Sequence, residues 1–315
     1  MSPTLSIQIV TWNSAAVIGD CLASLAAQDT RAFELVVVDN ASRDGTAAVV
    51  EGALAGGLAG RLVRAPENLG FCGGHNRALS LTRGDWVLLL NPDAALPPGF
   101  VREALARAAA LPGHVGTVVP RILLPDGRID STGLVLDRLR RVRDRGQGEP
   151  ADGAYLVEED VLGGTGAVVL HRRAMLEEIA VDGRALDENL FAYYDDLDLA
   201  LRARLRGWTC RYVPSLVATH RRAARNALRG LRGRAPRRSE QAFTVRNRLL
   251  VMAKCEPAPA LLRDLPALLA FELARIAYLA VRSPGALRGY AGAMAGLGRA
   301  LRDRRVVRAG AGARR

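Results

Sequence analysis

The chain has 315 residues, a formal net charge of +12, and 49% hydrophobic and 24% charged residues. That length accommodates two domains, or one large α/β domain with an appendage. The apolar content supports a sizeable core, which excludes a disordered tail, a collagen-like fibre or a disulfide-stapled miniprotein.

Leu5–Val10 predicts a strand, Ala15–Ala27 a helix, Glu34–Val38 a strand and Gly45–Ala55 a helix. Arg61–Ala65 predicts a strand, followed by a Gly-rich turn into a helix over Gly74–Leu81. Trp86–Leu90 predicts a strand, Pro98–Ala110 a helix and Val115–Pro120 another short strand. Strands alternating with helices predict an α/β fold with a mostly parallel central sheet flanked by helices. Right-handed crossovers then bring the loops after Val10, Val38, Ala65 and Leu90 to one edge, where ligands of open α/β sheets bind. Residues 122–160, rich in Gly, Asp and Arg, read as a hairpin and a loop. Gly163–Leu170 reads as a strand, Asp196–Arg206 as a helix and Cys210–Val213 as a strand. Residues 221–238 form a basic, small-residue stretch, read as a flexible or lid segment. Residues 258–282 have apolar positions at helical spacing. Arg263, Asp264, Glu272 and Arg275 interrupt the roughly 20 apolar residues that a spanning helix needs, so the expectation is an amphipathic helix.

Four scattered cysteines, Cys21, Cys72, Cys210 and Cys255, include no C-x-x-C pair, which argues against a disulfide framework or a zinc ribbon and suits a reducing compartment. The opening MSPTLSIQIV has no basic n-region and no long apolar h-region, so no secretory signal is expected. The positive charge is concentrated. Residues 221–315 hold 22 basic and 5 acidic residues, whereas residues 1–220 hold 22 basic and 27 acidic ones. The expected organisation is a mildly acidic globular domain over 1–220 and a basic, mostly helical extension over 221–315. Such asymmetry points to an anionic partner, either nucleic acid or an anionic membrane surface.

Four segments carry chemistry. VVVDN (Val36–Asn40) ends a strand in an acid that can accept hydrogen bonds from a ribose or a base edge, or can cap the next helix. ENLGFCGGHN (Glu67–Asn76) places three glycines and two asparagines before a helix, where backbone can approach a ligand closely; it is not the G-x-G-x-x-G of nicotinamide dehydrogenases. LLLNPD (Leu88–Asp93) runs a buried strand into a Pro-stiffened turn that aims Asp93 outward, and one carboxylate plus substrate phosphates suits magnesium or manganese. DENLFAYYDDLDLALRARLRGW (Asp187–Trp208) sets aromatics before Asp195, Asp196 and Asp198 in the first turn of a helix. Helix capping accounts for these acids, and so does a general base near a sugar. Of the four histidines, His75, His114 and His171 read as structural or surface residues, as does His220 on the residues alone, although an imidazole there could complete a metal site.

Together these segments resemble inverting family 2 glycosyltransferases of the GT-A fold, with bacterial rhamnosyltransferases as the nearest branch. The resemblance covers about residues 5–250. It rests on five ordered blocks, IVTWN, VVVDNAS, ENLGFCGGHN, LLLNPD and FAYYDDLDLALRARLRGW, with a shorter F-x-V-R-N-R match at Phe243–Arg248. It implies that Asp39 contacts the nucleotide, that Thr11 and Asn13 line its pocket, and that Asn68, Gly73, Asn76 and Asn91 help to bind the nucleotide-sugar. It implies Asp93 and His220 as ligands of Mg2+ or Mn2+. It implies Asp196 as the general base beside Asp195. Asn91 replaces the first acid of the D-x-D motif, and Asp-Asp replaces the more usual Glu-Asp.

The implied reaction is transfer of a sugar, L-rhamnose from dTDP-rhamnose, with inversion, to a glycan or lipid-linked acceptor in cell-envelope polysaccharide synthesis. A UDP-hexose is the alternative donor. The loop 140–160 and the GGTGAVVL block would shape the acceptor site. The implied location is cytoplasmic and peripheral, at the inner face of the cell membrane, through residues 221–315. Two other classes compete. A nucleic-acid-binding protein would explain the basic segment, but residues 221–240 contain no aromatic for base stacking and the acidic motifs stay unexplained, so no nucleic-acid partner is expected. A nucleotidyltransferase would need a Gly-rich, basic loop after the first strand, where this chain has TWNSAA.

Overall fold

The computed structural model describes residues 4–222 and 238–309. Most of the basic stretch 221–238, read from the sequence as a lid, lies outside the described residues. Apolar runs of four to seven residues form parallel strands β1 (Leu5–Thr11), β2 (Phe33–Asp39), β3 (Arg61–Arg64) and β4 (Trp86–Leu90). They are linked by α1 (Ala15–Ala26), α2 (Thr46–Ala55) and α3 (Gly70–Leu79). After β5 (Ala94–Ala95), α4 (Phe100–Ala110) and β6 (Val115–Leu123), the chain adds β7 (Ile129–Ser131) against β6 and a two-stranded ribbon of β8 (Leu134–Leu136) and β9 (Val142–Asp144). Then come β10 (Glu159–Asp160), β11 (Val168–Arg172), α5 (Arg173–Glu178), α6 (Asp195–Leu205) and β12 (Thr209–His220). Three long helices follow: α7 (Arg238–Cys255), α8 (Ala258–Arg282) and α9 (Arg288–Ala309). The main sheet runs β10-β12-β6-β11-β4-β1-β2-β3, with β11 antiparallel between β4 and β6. The expected α/β architecture and the helical C-terminal region are therefore both present. Because β4, β1 and β2 are parallel, Leu90, Thr11 and Asp39 end on one edge.

Three of the boundaries that differ from the sequence reading do so for a clear local reason. Helix α3 starts at Gly70, four residues early: Gly70 turns with φ +72°, Asn68 Oδ1 accepts its N–H at 2.9 Å, and a Cβ there would lie 2.6 Å from the Phe191 ring. Strand β11 starts at Val168 rather than Gly163: residues 163–167 lie outside the strand ladder, and Gly163 passes so close to α6 that a Cβ on it would lie 2.6 Å from the Ala200 Cβ. Strand β12 continues to His220 instead of stopping at Val213. A register shift against β6 between Val213 and Val217 absorbs Pro214, which has no N–H to give the ladder.

Two apolar clusters cover the sheet. Ile7, Ile9, Leu88 and Val168 pack on one face with Ile18 and Leu22 of α1 and Val101 of α4. On the other, Val87, Leu89 and Val169 pack with Leu197 of α6, Trp208, Leu250 and Val251 of α7 and Ala300 of α9, so the C-terminal helices and α6 share one core. The chain's single lysine fastens that junction. Lys254, fully buried on α7, places Nζ 2.5 Å from Asp187 Oδ2 and 2.6 Å from Asp198 Oδ1, and Asp198 also receives Arg202 Nε at 2.8 Å. Burial works against the ammonium, but Asp198 and Asp187 outweigh it and hold the amine above its ordinary value. Removing one partner of such a cluster leaves uncompensated buried charge. Lys254→Ala should therefore cost about 3–5 kcal/mol in urea denaturation. Loss of the exposed Arg102–Asp29 pair through Arg102→Ala should cost under about 1 kcal/mol. Equal costs for the two variants would contradict this account of the junction.

Candidate functional site

A cleft of about 820 Å3 opens at the carboxyl edge of the sheet, lined by Asn91, Asp144, Thr165, Asp196, His220 and Arg222, and by Thr244, Phe271 and Arg275 from the C-terminal helices. Asp93 reaches His220 from the turn after β4: its Oδ1 lies 3.1 Å from Nε2. On the other side of the ring, buried Asp130 of β7 places Oδ2 2.7 Å from Nδ1. Burial alone would lower the imidazole's pKa. The hydrogen bonds and charges of Asp130 and Asp93 outweigh it and raise it to about 9. Arg222 pairs with both Asp130 and Asp144, so a chain of alternating charges runs along this wall.

The acidic pair stands at the first turn of α6. Asp196 lines the cleft, while Asp195 is buried beside it. Burial first, then the charge of Asp198, pushes Asp195 up to about 6. Burial and the charge of Asp195 push Asp196 well above the ordinary carboxylate range. The turn that delivers them is unusual: Phe191, Tyr193 and Tyr194 have φ of 63°, 70° and 65°, a left-handed conformation that costs non-glycine residues on the order of 1–3 kcal/mol each. Helix α7 holds that turn. Asn247 Nδ2 donates to the carbonyls of Leu190, Ala192 and Tyr193 at 2.9, 2.8 and 2.8 Å. Arg246 donates to the carbonyls of Asn189 and Leu190. The Phe191 ring stacks on Phe243 at 5.3 Å, and the Phe191 carbonyl accepts from Cys72 N–H at 3.1 Å.

At the neighbouring strand ends, Thr11 and Asp39 face each other across β1 and β2. Thr11 Oγ1, Asp39 Oδ1 and Asn40 Oδ1 are buried with no hydrogen-bond partner among the described residues, a cost of about 1–3 kcal/mol each that a bound ligand would relieve. Exposed Asn13 accepts Arg43 N–H at 2.9 Å and ties the two loops. The structure does not bring Asn68, Gly73 and Asn76 to the cleft. Asn68 caps Gly70, Gly73 and Asn76 line a separate groove with Arg184 and Glu188, and the Asn76 amide is occupied by both backbone groups of Leu186 and by Glu188.

Comparison with known proteins identifies the family. The family model for glycosyl transferase family 2 matches residues 6–150. A Mycobacterium tuberculosis protein described as uncharacterized is 30% identical over 234 residues, 70% of this chain and 68% of that protein. The chain belongs to glycosyltransferase family 2. A second M. tuberculosis relative, N-acetylglucosaminyl-diphospho-decaprenol L-rhamnosyltransferase, is 28% identical over 246 residues, 71% of this chain and 78% of that one. Among solved structures, the Pyrobaculum calidifontis mannosyltransferase in complex with GDP-Man and Mn2+ superposes with a TM-score of 0.56 at 19% identity, over 98% of this chain and 88% of that one. The fold is GT-A.

Asp93 and His220 suit a hard divalent ion in this glycosyltransferase. One carboxylate oxygen and one imidazole nitrogen converge, and Asp130 on Nδ1 is the orienting carboxylate that metal-binding imidazoles usually carry. Among the described residues no group of three or more His, Cys, Asp or Glu side chains is arranged to hold a metal by itself. The remaining ligands would be water and phosphate oxygens, the habit of magnesium and manganese.

Asp130, Arg222 and Asn247 carry more of this site than their sequence signals suggest. Asp130 is an isolated acid in a Gly-rich hairpin, and Asn247 is marked only by the F-x-V-R-N-R block. Asn247→Leu should release the turn: limited proteolysis within residues 189–194 is expected to accelerate, while sites in α1 and α2 keep their rates. Unchanged cleavage at 189–194 would show that the turn holds without the amide.

Proposed function

We propose that this glycosyltransferase transfers a sugar, L-rhamnose from dTDP-rhamnose, with inversion to a hydroxyl of a glycan or lipid-linked acceptor in cell-envelope polysaccharide synthesis. The observation that carries this reading is the cleft in which Asp196, Asn91 and the Asp93-bound His220 meet. The 28% identity to the rhamnosyltransferase supports the sugar and the acceptor class. The partnerless polar atoms of Thr11 and Asp39 would receive the nucleotide, with Asn13 bracing the loops around it. Asn91 would contact the donor directly. Asn68, Gly73 and Asn76 would act on the donor through the loop shape they fix.

In the proposed reaction the acceptor oxygen bonds to the anomeric carbon from the face opposite the nucleotide diphosphate, whose bond to that carbon breaks. Asp196 takes the hydroxyl proton. The cleft exposes Asp196 and buries Asp195, which favours Asp196 as the base and leaves Asp195 to set its basicity. Asp93 and His220 would hold Mg2+ or Mn2+, which when bound neutralises charge on the departing diphosphate. Asp196→Asn should keep nucleotide-sugar binding, read by thermal shift across a donor panel that includes UDP-hexoses, and lose about two or more orders of magnitude in turnover. The base must be ionised, so kcat/KM should fall as pH drops through the raised range of the pair. Asp195→Asn removes the neighbouring negative charge, so it should move that limb to lower pH. Near-normal turnover by Asp196→Asn would assign the base elsewhere.

The reading includes a peripheral seat at the inner face of the cytoplasmic membrane. Among the described residues no helix is long and apolar enough to cross a membrane. Helix α8 instead exposes Leu262, Leu265, Leu269, Leu273 and Ile276 at spacings of three and four, a single apolar stripe. Basic residues of 221–315 that reach an anionic lipid surface would add about 1 kcal/mol each. The double variant Leu269→Glu, Leu273→Glu should lose cosedimentation with phosphatidylglycerol vesicles while keeping its melting temperature. Retained cosedimentation would remove α8 as the seat.

A further inference from the structure

Half-buried Arg275 on α8 lines the cleft without a counter-ion. Among the described residues no carboxylate lies within ion-pairing distance of it. Its sequence neighbour Glu272 is taken by Arg248 and by the Tyr290 hydroxyl. Three guanidinium groups surround the Phe271 ring, those of Arg141, Arg248 and Arg275, at 5.6, 5.0 and 5.9 Å from its centroid. Arg248 is satisfied by Glu272, and Arg141 by Asp137 at 2.7 Å. Of the other charged groups at the cleft, Arg222 is paired with Asp130 and Asp144, Arg143 faces Asp137 at 3.9 Å, and Asp144, Asp196 and Glu240 are acids. Arg275 is thus the cleft-lining cation, among the described residues, whose charge is left for something else. A half-buried cation without a counter-ion favours an anionic partner, and a guanidinium over an aromatic ring keeps its N–H edges free for a bidentate oxyanion. On the same helix, Tyr278 both lines the cleft and is exposed, an apolar way out beside Arg275.

We propose that Arg275, stacked on Phe271, binds the diphosphate of a prenyl-diphosphate-linked acceptor, distinct from the diphosphate of the donor. The acceptor's sugar then reaches Asp196 across the cleft, and its prenyl chain leaves past Tyr278. The identity of the acceptor rests on the transferase reading; the anion site itself does not.

The test is calorimetric titration of the full-length protein, saturated with dTDP and Mg2+ so that the donor site is filled. The probes are farnesyl diphosphate, farnesol and inorganic diphosphate. Wild type should bind farnesyl diphosphate at least about tenfold more tightly than either of the others, the scale of one charge-assisted contact added to a buried chain. Arg275→Gln should bind farnesyl diphosphate no better than farnesol, Arg275→Lys should keep a preference for the diphosphate, and both should bind dTDP and phosphatidylglycerol vesicles as wild type does. Undiminished farnesyl diphosphate binding by Arg275→Gln would overturn the proposal, as would a parallel loss of dTDP or vesicle binding, which would assign Arg275 to the donor or to bulk lipid. If wild type neither binds nor uses any nucleotide-sugar while the Arg275-dependent preference persists, the transferase reading falls and the anion site stands.

Discussion

The site depends on one amide. Asn247 grips three carbonyls of a backbone that would otherwise relax, since Phe191, Tyr193 and Tyr194 all sit in a conformation that side chains disfavour. An asparagine side chain has two N–H groups, so three acceptors require one to be shared, and the loop must close tightly around it. The closure sets the direction in which α6 begins. Asp195 and Asp196 are the first residues of that helix, so where they point is decided by an interaction formed about 50 residues later in the chain.

This makes the cleft a composite. Its paired acids come from α6, its histidine from the end of β12, the carboxylates that flank the ring from the β4 turn and from β7, and another part of its lining from α7 and α8. Each contribution is locally unremarkable, and the electrostatics emerge only on assembly. Burial raises the carboxyl pair because water is excluded by several elements at once, while the imidazole is driven the other way from its burial trend because two acids flank it. The C-terminal helices are therefore continuous with the chemistry: the apolar core beneath α6 is closed by Leu250, Val251 and Ala300.

Much of this was legible in the residues. The alternation of apolar runs and helical periods gave the order of β1 to β4, and the strand-end motifs put Asp39 and Asn91 at the carboxyl edge of the sheet. The strand-terminating expectation at Val213 missed because a bulge can swallow a proline, which is a tertiary accommodation and not a propensity. Gly163 and Gly164 read as strand, but they are glycines because α6 and the sheet crowd them. Asn76 looked like a ligand residue since asparagine beside glycines does mark such loops, yet its amide is spent on Leu186 and Glu188. Asp130 could not have been singled out: its importance lies wholly in contacts 90 residues away.

The lone ε-amine of Lys254 has a practical corollary. In a chain whose other basic side chains are arginine and histidine, it is the sole side-chain amine, the target of reductive methylation, and the fold keeps it out of solvent. Side-chain labelling by that reaction would thus report directly on the opening of the α6–α7 junction, a built-in gauge of local unfolding that needs no engineered probe.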